Sequence, residues 1–221
     1  MCGIFGSKKF NLYEQAYKEN KKRGKFAHGQ LFIRRNGSMY VRKGEGELTL
    51  AGEYMWRHPE KYDIFLGHTQ APTSAHRDFS PLTTHPFDCG NFVVAHNGVL
   101  ENHMELAREH SIDPNTIKVD SQIIPALLDN MYVGSDVMAI TEVCNMLRGI
   151  FSCWIFVKSS KLVYIVRNGC TLYRDENNNS FSSVKTDDIN IEIPEGIIYC
   201  HTIEGLTQVG EFNSNNPFFI L

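Results

Sequence analysis

Apolar and polar residues alternate and cluster along the chain in a readable order. Residues 11–23, NLYEQAYKENKKR, have a helical pattern. HGQLFIRR and SMYVRK alternate with period two around Asn36-Gly37, a dipeptide that favours a hairpin turn. DIFLGHTQ (63–70) reads as a buried strand running into a long polar loop, APTSAHRDFSPLTTHPFDCG, with three prolines and two histidines. Loops of that length are functional or disordered more often than incidental. NFVVAHNGVL (91–100) predicts a second buried strand, broken at Asn97-Gly98, and ENHMELAREH a short helix. From Ser121 the apolar positions Ile123, Ile124, Leu127, Leu128 and Met131 share one helical face, with Pro125 near the first turn. Val137, Ile140, Cys144 and Leu147 mark the next helix. Beyond Gly149 the pattern returns to strands: IFSCWIFVK, KLVYIVRN, TLYR, SFSSV and GIIYCHT.

Strands in blocks with helices grouped between them predict an α+β fold with antiparallel sheets rather than alternating βαβ units. No repeat, flexible linker or low-complexity tract divides the 221 residues, so one domain over 1–221 is expected. A hydrophobic fraction of 42% and a charged fraction of 21% are ordinary globular values. A net charge of −3 gives no basic footprint for nucleic acid, and no stretch reaches membrane-spanning length. The expected setting is the cytoplasm, with no nucleic-acid or membrane partner.

Six cysteines lie scattered without C-x-x-C spacing, so no structural zinc site is written in the chain. Four of them sit in apolar runs and read as small buried hydrophobes. Cys2 differs because it follows the initiator methionine. Methionine before a small residue is normally removed, which would leave thiol and α-amine on one residue. With a pKa of about 7.7 to 8.0, that amine can take the thiol proton and return it to a leaving amine. In AHNGVLEN, Asn97 offers a side-chain amide and Gly98 an approachable backbone N–H to a developing oxyanion. Taken alone, Asn-Gly reads better as a plain hairpin turn.

MCGIFG (1–6), KRGKFAHG (22–29), GHTQAPTS (67–74), THPF (84–87), AHNGVLEN (95–102), VDSQII (119–124) and LRGIFSCWIF (147–156) occur in the order of the motifs of one family. Together they resemble the class II glutamine amidotransferase domain, the N-terminal-nucleophile glutaminase domain of glucosamine-6-phosphate synthase and amidophosphoribosyltransferase. The resemblance covers essentially the whole chain. It implies a four-layer α-β-β-α sandwich of two mainly antiparallel sheets.

The resemblance also implies Cys2 as nucleophile, Asn97 and Gly98 as oxyanion hole, Asp120 as the carboxylate for the α-ammonium of glutamine, and Thr73 in the glutamine pocket. Arg23 matches an arginine near the nucleophile, and His68 and His85 match positions expected to be structural. The implied reaction releases ammonia from glutamine through a γ-glutamyl thioester, without metal or organic cofactor, for a separate synthetase subunit. One position departs from the pattern. Where the family has arginine clamping the substrate α-carboxylate, this chain has Gln70, a neutral amide unable to make the forked ionic contact. Arg77, in the same loop, is a candidate replacement. Gln70 leaves two alternatives open: a degenerate glutaminase fold serving as a binding or regulatory module, or a hydrolase of another γ-glutamyl-type amide.

Overall fold

The computed structural model describes residues 2–48, 54–71, 79–202 and 204–214. In chain order the elements are β1 (Gly3–Ser7), α1 (Phe10–Asn20), β2 (Ala27–Ile33), β3 (Met39–Glu45), α2 (Tyr54–Arg57), β4 (Ile64–Gln70), β5 (Phe87–Cys89) and β6 (Phe92–Leu100). There follow α3 (His103–Glu109), α4 (Ile123–Met131), α5 (Asp136–Met146), β7 (Gly149–Val157), β8 (Leu162–Asn168), β9 (Tyr173–Asp175), β10 (Ser180–Ser182), β11 (Ile189–Glu192), β12 (Ile197–Thr202) and β13 (Gly205–Glu211). One sheet has the order β11-β9-β10-β1-β4-β2-β3, the other β13-β12-β8-β7-β6-β5. Strand neighbours in both sheets pair antiparallel.

Three apolar clusters define four layers. Ile4, Leu31, Leu66, Val93, Ala95, Trp154 and Phe156 come from both sheets and form the core between them. Trp154 also donates its indole N–H to the Gly67 carbonyl of the facing sheet, at 3.1 Å. On the outer face of the first sheet, Phe5, Phe32 and Phe65 pack against Tyr13, Ala16 and Tyr17 of α1. On the outer face of the second, Val94, Phe151, Cys153 and Ile155 pack against Ile124, Leu127, Leu128, Ile140 and Val143 of α4 and α5. The continuous apolar run of β7 follows from this: alternate residues are buried toward α4 and α5 and toward the other sheet. The architecture is the expected α-β-β-α sandwich.

Two expectations change in detail, and one strand appears that the sequence pattern does not predict. Asn97-Gly98 does not break its strand, because β6 pairs with β7 without interruption from Phe92↔Val157 to Leu100↔Gly149. The chain start is a fully buried central strand, β1, held between β10 and β4. The long polar loop ends in a short strand, β5. Four of the six cysteines, Cys144, Cys153, Cys170 and Cys200, are buried, while Cys2 and Cys89 are only partly covered. Among the described residues no helix is long and apolar enough to cross a membrane.

Candidate active site

Side-chain alternation decides which residues meet at the site. Ile4, Leu66, Val93 and Ala95 point into the space between the sheets. Residues two, four or six positions away on the same strands face the same way. Cys2, Gln70 and Asn97 are therefore directed into the inter-sheet space where β1 begins and β4 and β6 end. The β1–β4 register pairs Gly3 with Thr69, so its next step sets Cys2 opposite Gln70.

A cavity of about 570 Å³ opens there, lined by Cys2, Gln70, His96, Gly98, Lys118 and Asp120 among others. Gly3 lets the start of β1 lie close against α1, since a Cβ at this position would lie 2.3 Å from Asn20 Oδ1. Gly98 has φ +146, in the region that favours glycine, and a Cβ there would meet the Ile150 carbonyl oxygen at 2.0 Å. The side-chain-free backbone of β6 is thereby open to the cavity.

Asp120 sits in a single turn of 3-10 helix directly before α4. Its Oδ2 accepts the Leu100 N–H at 2.9 Å, and its Oδ1 accepts the Ser121 N–H at 2.8 Å and the Ser121 hydroxyl at 3.2 Å. Ser121 Oγ also meets Nδ1 of the buried His96 at 2.8 Å. The carboxylate is thus fixed by β6 from one side and by its own turn from the other.

Asn97 and Arg23 do not line the cavity but meet one anchor behind it, Ser183. Asn97 Nδ2 donates to Ser183 Oγ at 3.4 Å, the Ile4 N–H donates to the same oxygen at 3.1 Å, and Arg23 Nη1 donates to the Ser183 carbonyl at 3.0 Å. Ser183 therefore ties the strand carrying the thiol to the strand carrying the amide. Gln70 is 2% exposed, and its amide donates to the Thr83 carbonyl at 3.3 Å. Thr73 and Arg77 lie outside the described residues.

His85 lines the cavity too, and His68 stacks on it from behind with ring centroids 4.0 Å apart. Burial pushes the His68 imidazole down to about 3, with the neighbouring His96 adding to the effect, and burial likewise lowers His96. The His68 and His96 rings are therefore neutral at ordinary pH. Among the described residues no group of three or more histidine, cysteine or carboxylate side chains is placed to hold a metal ion.

Lys118 and His103 also line the cavity. Neither was marked by the sequence pattern, nor were His96, Ser121 and Ser183 as supports. The motifs AHNG and VDSQII contain His96 and Ser121, so proximity to a marked residue was the only available signal. Ser183 and Lys118 had none.

Comparison with known proteins gives this geometry a family. A model described as a glutamine amidotransferase domain matches residues 73–184, about half of the chain. The 7-cyano-7-deazaguanine synthase of Sulfolobus acidocaldarius is 27% identical over 188 residues, covering 78% of this chain and 40% of that protein. The isomerizing glutamine–fructose-6-phosphate aminotransferase of Zymomonas mobilis is 30% identical over 170 residues, covering 72% of this chain and 27% of that protein. The chain thus spans well under half the length of either relative. Among solved structures, the glutamine phosphoribosylpyrophosphate amidotransferase of B. subtilis superposes with a TM-score of 0.74 at 18% identity, covering 97% of this chain and 50% of that one. A glutamine aminotransferase class-II domain protein from Silicibacter pomeroyi does so with a TM-score of 0.59 at 13% identity, covering 96% and 99%. The sandwich, with a partly covered cysteine, a strand-borne glycine N–H and a fixed carboxylate around one cavity, is accordingly that of a known family: this chain belongs to the glutamine amidotransferase domain family.

Proposed function

We propose that residues 1–221 act as one glutaminase domain that frees ammonia from glutamine through a thioester on Cys2. With Met1 removed, the α-amine of Cys2 accepts the thiol proton as sulfur attacks the side-chain amide carbon. The oxyanion of the tetrahedral intermediate is met by the Gly98 N–H and, after a small rotation away from Ser183, by the Asn97 amide. Collapse breaks the C–N bond, and the proton held by the α-amine leaves with the nitrogen as ammonia. Water then attacks the γ-glutamyl thioester, giving glutamate and restoring the thiol. Asp120 receives the substrate α-ammonium, and Arg23 acts indirectly by bracing the Ser183 anchor.

The observation that carries this reading is the convergence of Cys2, Gly98 and Asp120 on one cavity. Ammonia would be passed to a synthetase partner, in keeping with relatives named as a synthase and an aminotransferase of greater length. The carboxylate end of the substrate has no arginine at Gln70. Lys118 and His103, which line the same cavity, supply nitrogen donors for it instead. The Gln70 amide, held by the Thr83 carbonyl, favours a second reading in which another γ-glutamyl-type amide is the substrate. Release of glutamate from glutamine, measured beside Cys2→Ala, tests the first reading. Turnover of γ-glutamyl amides with none of glutamine would select the second, and no Cys2-dependent hydrolysis of either would reject both.

A further inference from the structure

A second, larger cavity of about 750 Å³ lies at the opposite end of the sandwich, where β1, β2 and β12 end and β4 and β8 begin. Cys2 precedes β1 and Lys8 follows it, so about 20 Å of extended strand separates the two cavities. Among the described residues four basic side chains, Lys8, Arg34, Arg35 and Lys161, line this groove against a single carboxylate, Asp63. The local formal charge is therefore +3 on a chain whose net charge is −3.

Among the described residues only Arg35 of these cations is ion-paired, to Asp63 at 3.5 Å. The Arg34 guanidinium lies over the Tyr62 ring, 5.3 Å from its centroid. Lys8 is half-buried, and desolvation lowers its pKa although Cys200 and Asp63 oppose the shift. Lys161 closes the groove from the β7–β8 turn, where its stem packs so closely on Gly37 of the β2–β3 turn that a Cβ there would lie 2.4 Å from Lys161 Cδ. Both sheets thus contribute a cation to one concavity.

The groove also contains polar atoms that the fold leaves unused. Among the described residues the Tyr62 hydroxyl is buried with no hydrogen-bond partner, and the His201 ring, whose one near polar group is the Asn179 backbone, keeps a buried nitrogen unused, with Tyr62 5% and His201 2% exposed. Burying such groups costs free energy unless a ligand or water meets them. Burial, aided by Lys8 and opposed by the Asn179 backbone, pushes the His201 imidazole down to about 3. The ring is therefore neutral at ordinary pH, with one nitrogen able to donate and the other to accept. Ile33, Ile64 and Leu162 supply apolar wall between the charges.

We infer that this groove is a binding site for a small molecule bearing a phosphoryl or pyrophosphoryl group on an apolar body. A charge of +3 matches a di- or trianion, whereas a single carboxylate would leave two cations uncompensated. The fork of Arg34 suits two oxygens of one phosphoryl group, Lys8 and Lys161 act as point charges, and Tyr62 and His201 supply directional hydrogen bonds. The inference does not rest on the glutaminase reading.

Inorganic pyrophosphate, titrated by calorimetry into the full chain at low ionic strength, tests it. One saturable site is expected, with affinity falling as salt rises. Arg34→Ala combined with Lys161→Asn, an asparagine tolerating the positive φ of 62 at that position, should weaken binding at least tenfold. Thermal melting of the double variant checks that it is folded, and Arg34→Lys should restore part of the affinity lost with Arg34→Ala. Arg108→Ala, on the exposed face of α3, should bind as the parent does, and so should protein alkylated at Cys2. Absence of saturable binding, equal weakening by Arg108→Ala, loss of binding on Cys2 alkylation, or binding of an acidic peptide in place of pyrophosphate would each overturn the inference.

Discussion

Replacing Asp120 by asparagine removes one charge and almost no volume, and its effect can be worked from three contacts. In the native site Oδ2 accepts the Leu100 N–H at 2.9 Å while Oδ1 accepts both the Ser121 N–H at 2.8 Å and its hydroxyl at 3.2 Å. An asparagine keeps one oxygen. If that oxygen stays with Ser121, the new NH2 faces the Leu100 N–H, donor against donor, and one backbone donor loses its partner. The cost to stability is about 1 to 3 kcal/mol, read as a lowered melting temperature without substrate. The substrate α-ammonium loses a hydrogen bond to a charged acceptor, worth about 1.5 to 3 kcal/mol, or roughly ten- to a hundredfold in affinity. Because the α-ammonium is equally charged in ground and transition states, the loss falls mainly on KM in a glutamate-release assay, with kcat changing much less. A kcat that collapses at unchanged KM would refute the binding role assigned to this carboxylate. Parental kinetics at full stability would refute the contact analysis as well.

Asn97→Ala should show the complementary pattern, a fall in kcat of about a hundredfold or more with a small change in KM, since an oxyanion donor acts in the transition state; identical kinetic patterns for Asn97→Ala and Asp120→Asn would show that the two roles are not separate. Gln70→Arg, extending into the neighbouring cavity of about 570 Å³, should improve apparent affinity for glutamine by about tenfold or more, because a forked cation replaces a neutral amide. Unchanged affinity in Gln70→Arg together with a large loss in Lys118→Ala would identify Lys118 as the carboxylate partner. His68 and His201 both have imidazoles pushed down to about 3 by burial, below the ordinary value of 6.5. The unfolded chain therefore binds their protons first, so the stability they contribute is full above about pH 6.5 and is lost as pH falls toward about 3, with a slope near 1.4 kcal/mol per pH unit for each ring. Denaturant titrations at a series of pH values should show this slope, and His68→Gln should make it shallower; a slope unaltered in that variant would contradict the buried-neutral assignment.

The long periodic elements and the buried cysteines were legible because each depends on local pattern. The strands of β7 and β8 and the faces of α4 and α5 follow from apolar spacing alone. β1 was not legible: five residues with two glycines and no alternation show no strand signal, and the segment is a strand because β4 and β10 pair with it on both sides. Asn97-Gly98 misled for the opposite reason, its local preference for a turn being overruled by nine residues of continuous pairing with β7. At the site, order along the chain and family resemblance marked Cys2, Gly98 and Asp120, while supports that act across 86 residues, such as Ser183 beneath Asn97, have no local signature. Lys118 reaches the cavity through the fold of the segment before Asp120, which no spacing rule exposes.

The central claim is that the thiol of Cys2, freed of Met1, is the nucleophile. Intact-mass and peptide analysis of the protein after exposure to a diazo-ketone analogue of glutamine tests it most directly. The account predicts a chain lacking Met1 that carries a single adduct on Cys2, with glutamate release abolished in proportion to labelling. Full activity in a species that retains Met1, or an adduct on Cys89 with Cys2 unmodified, would contradict it.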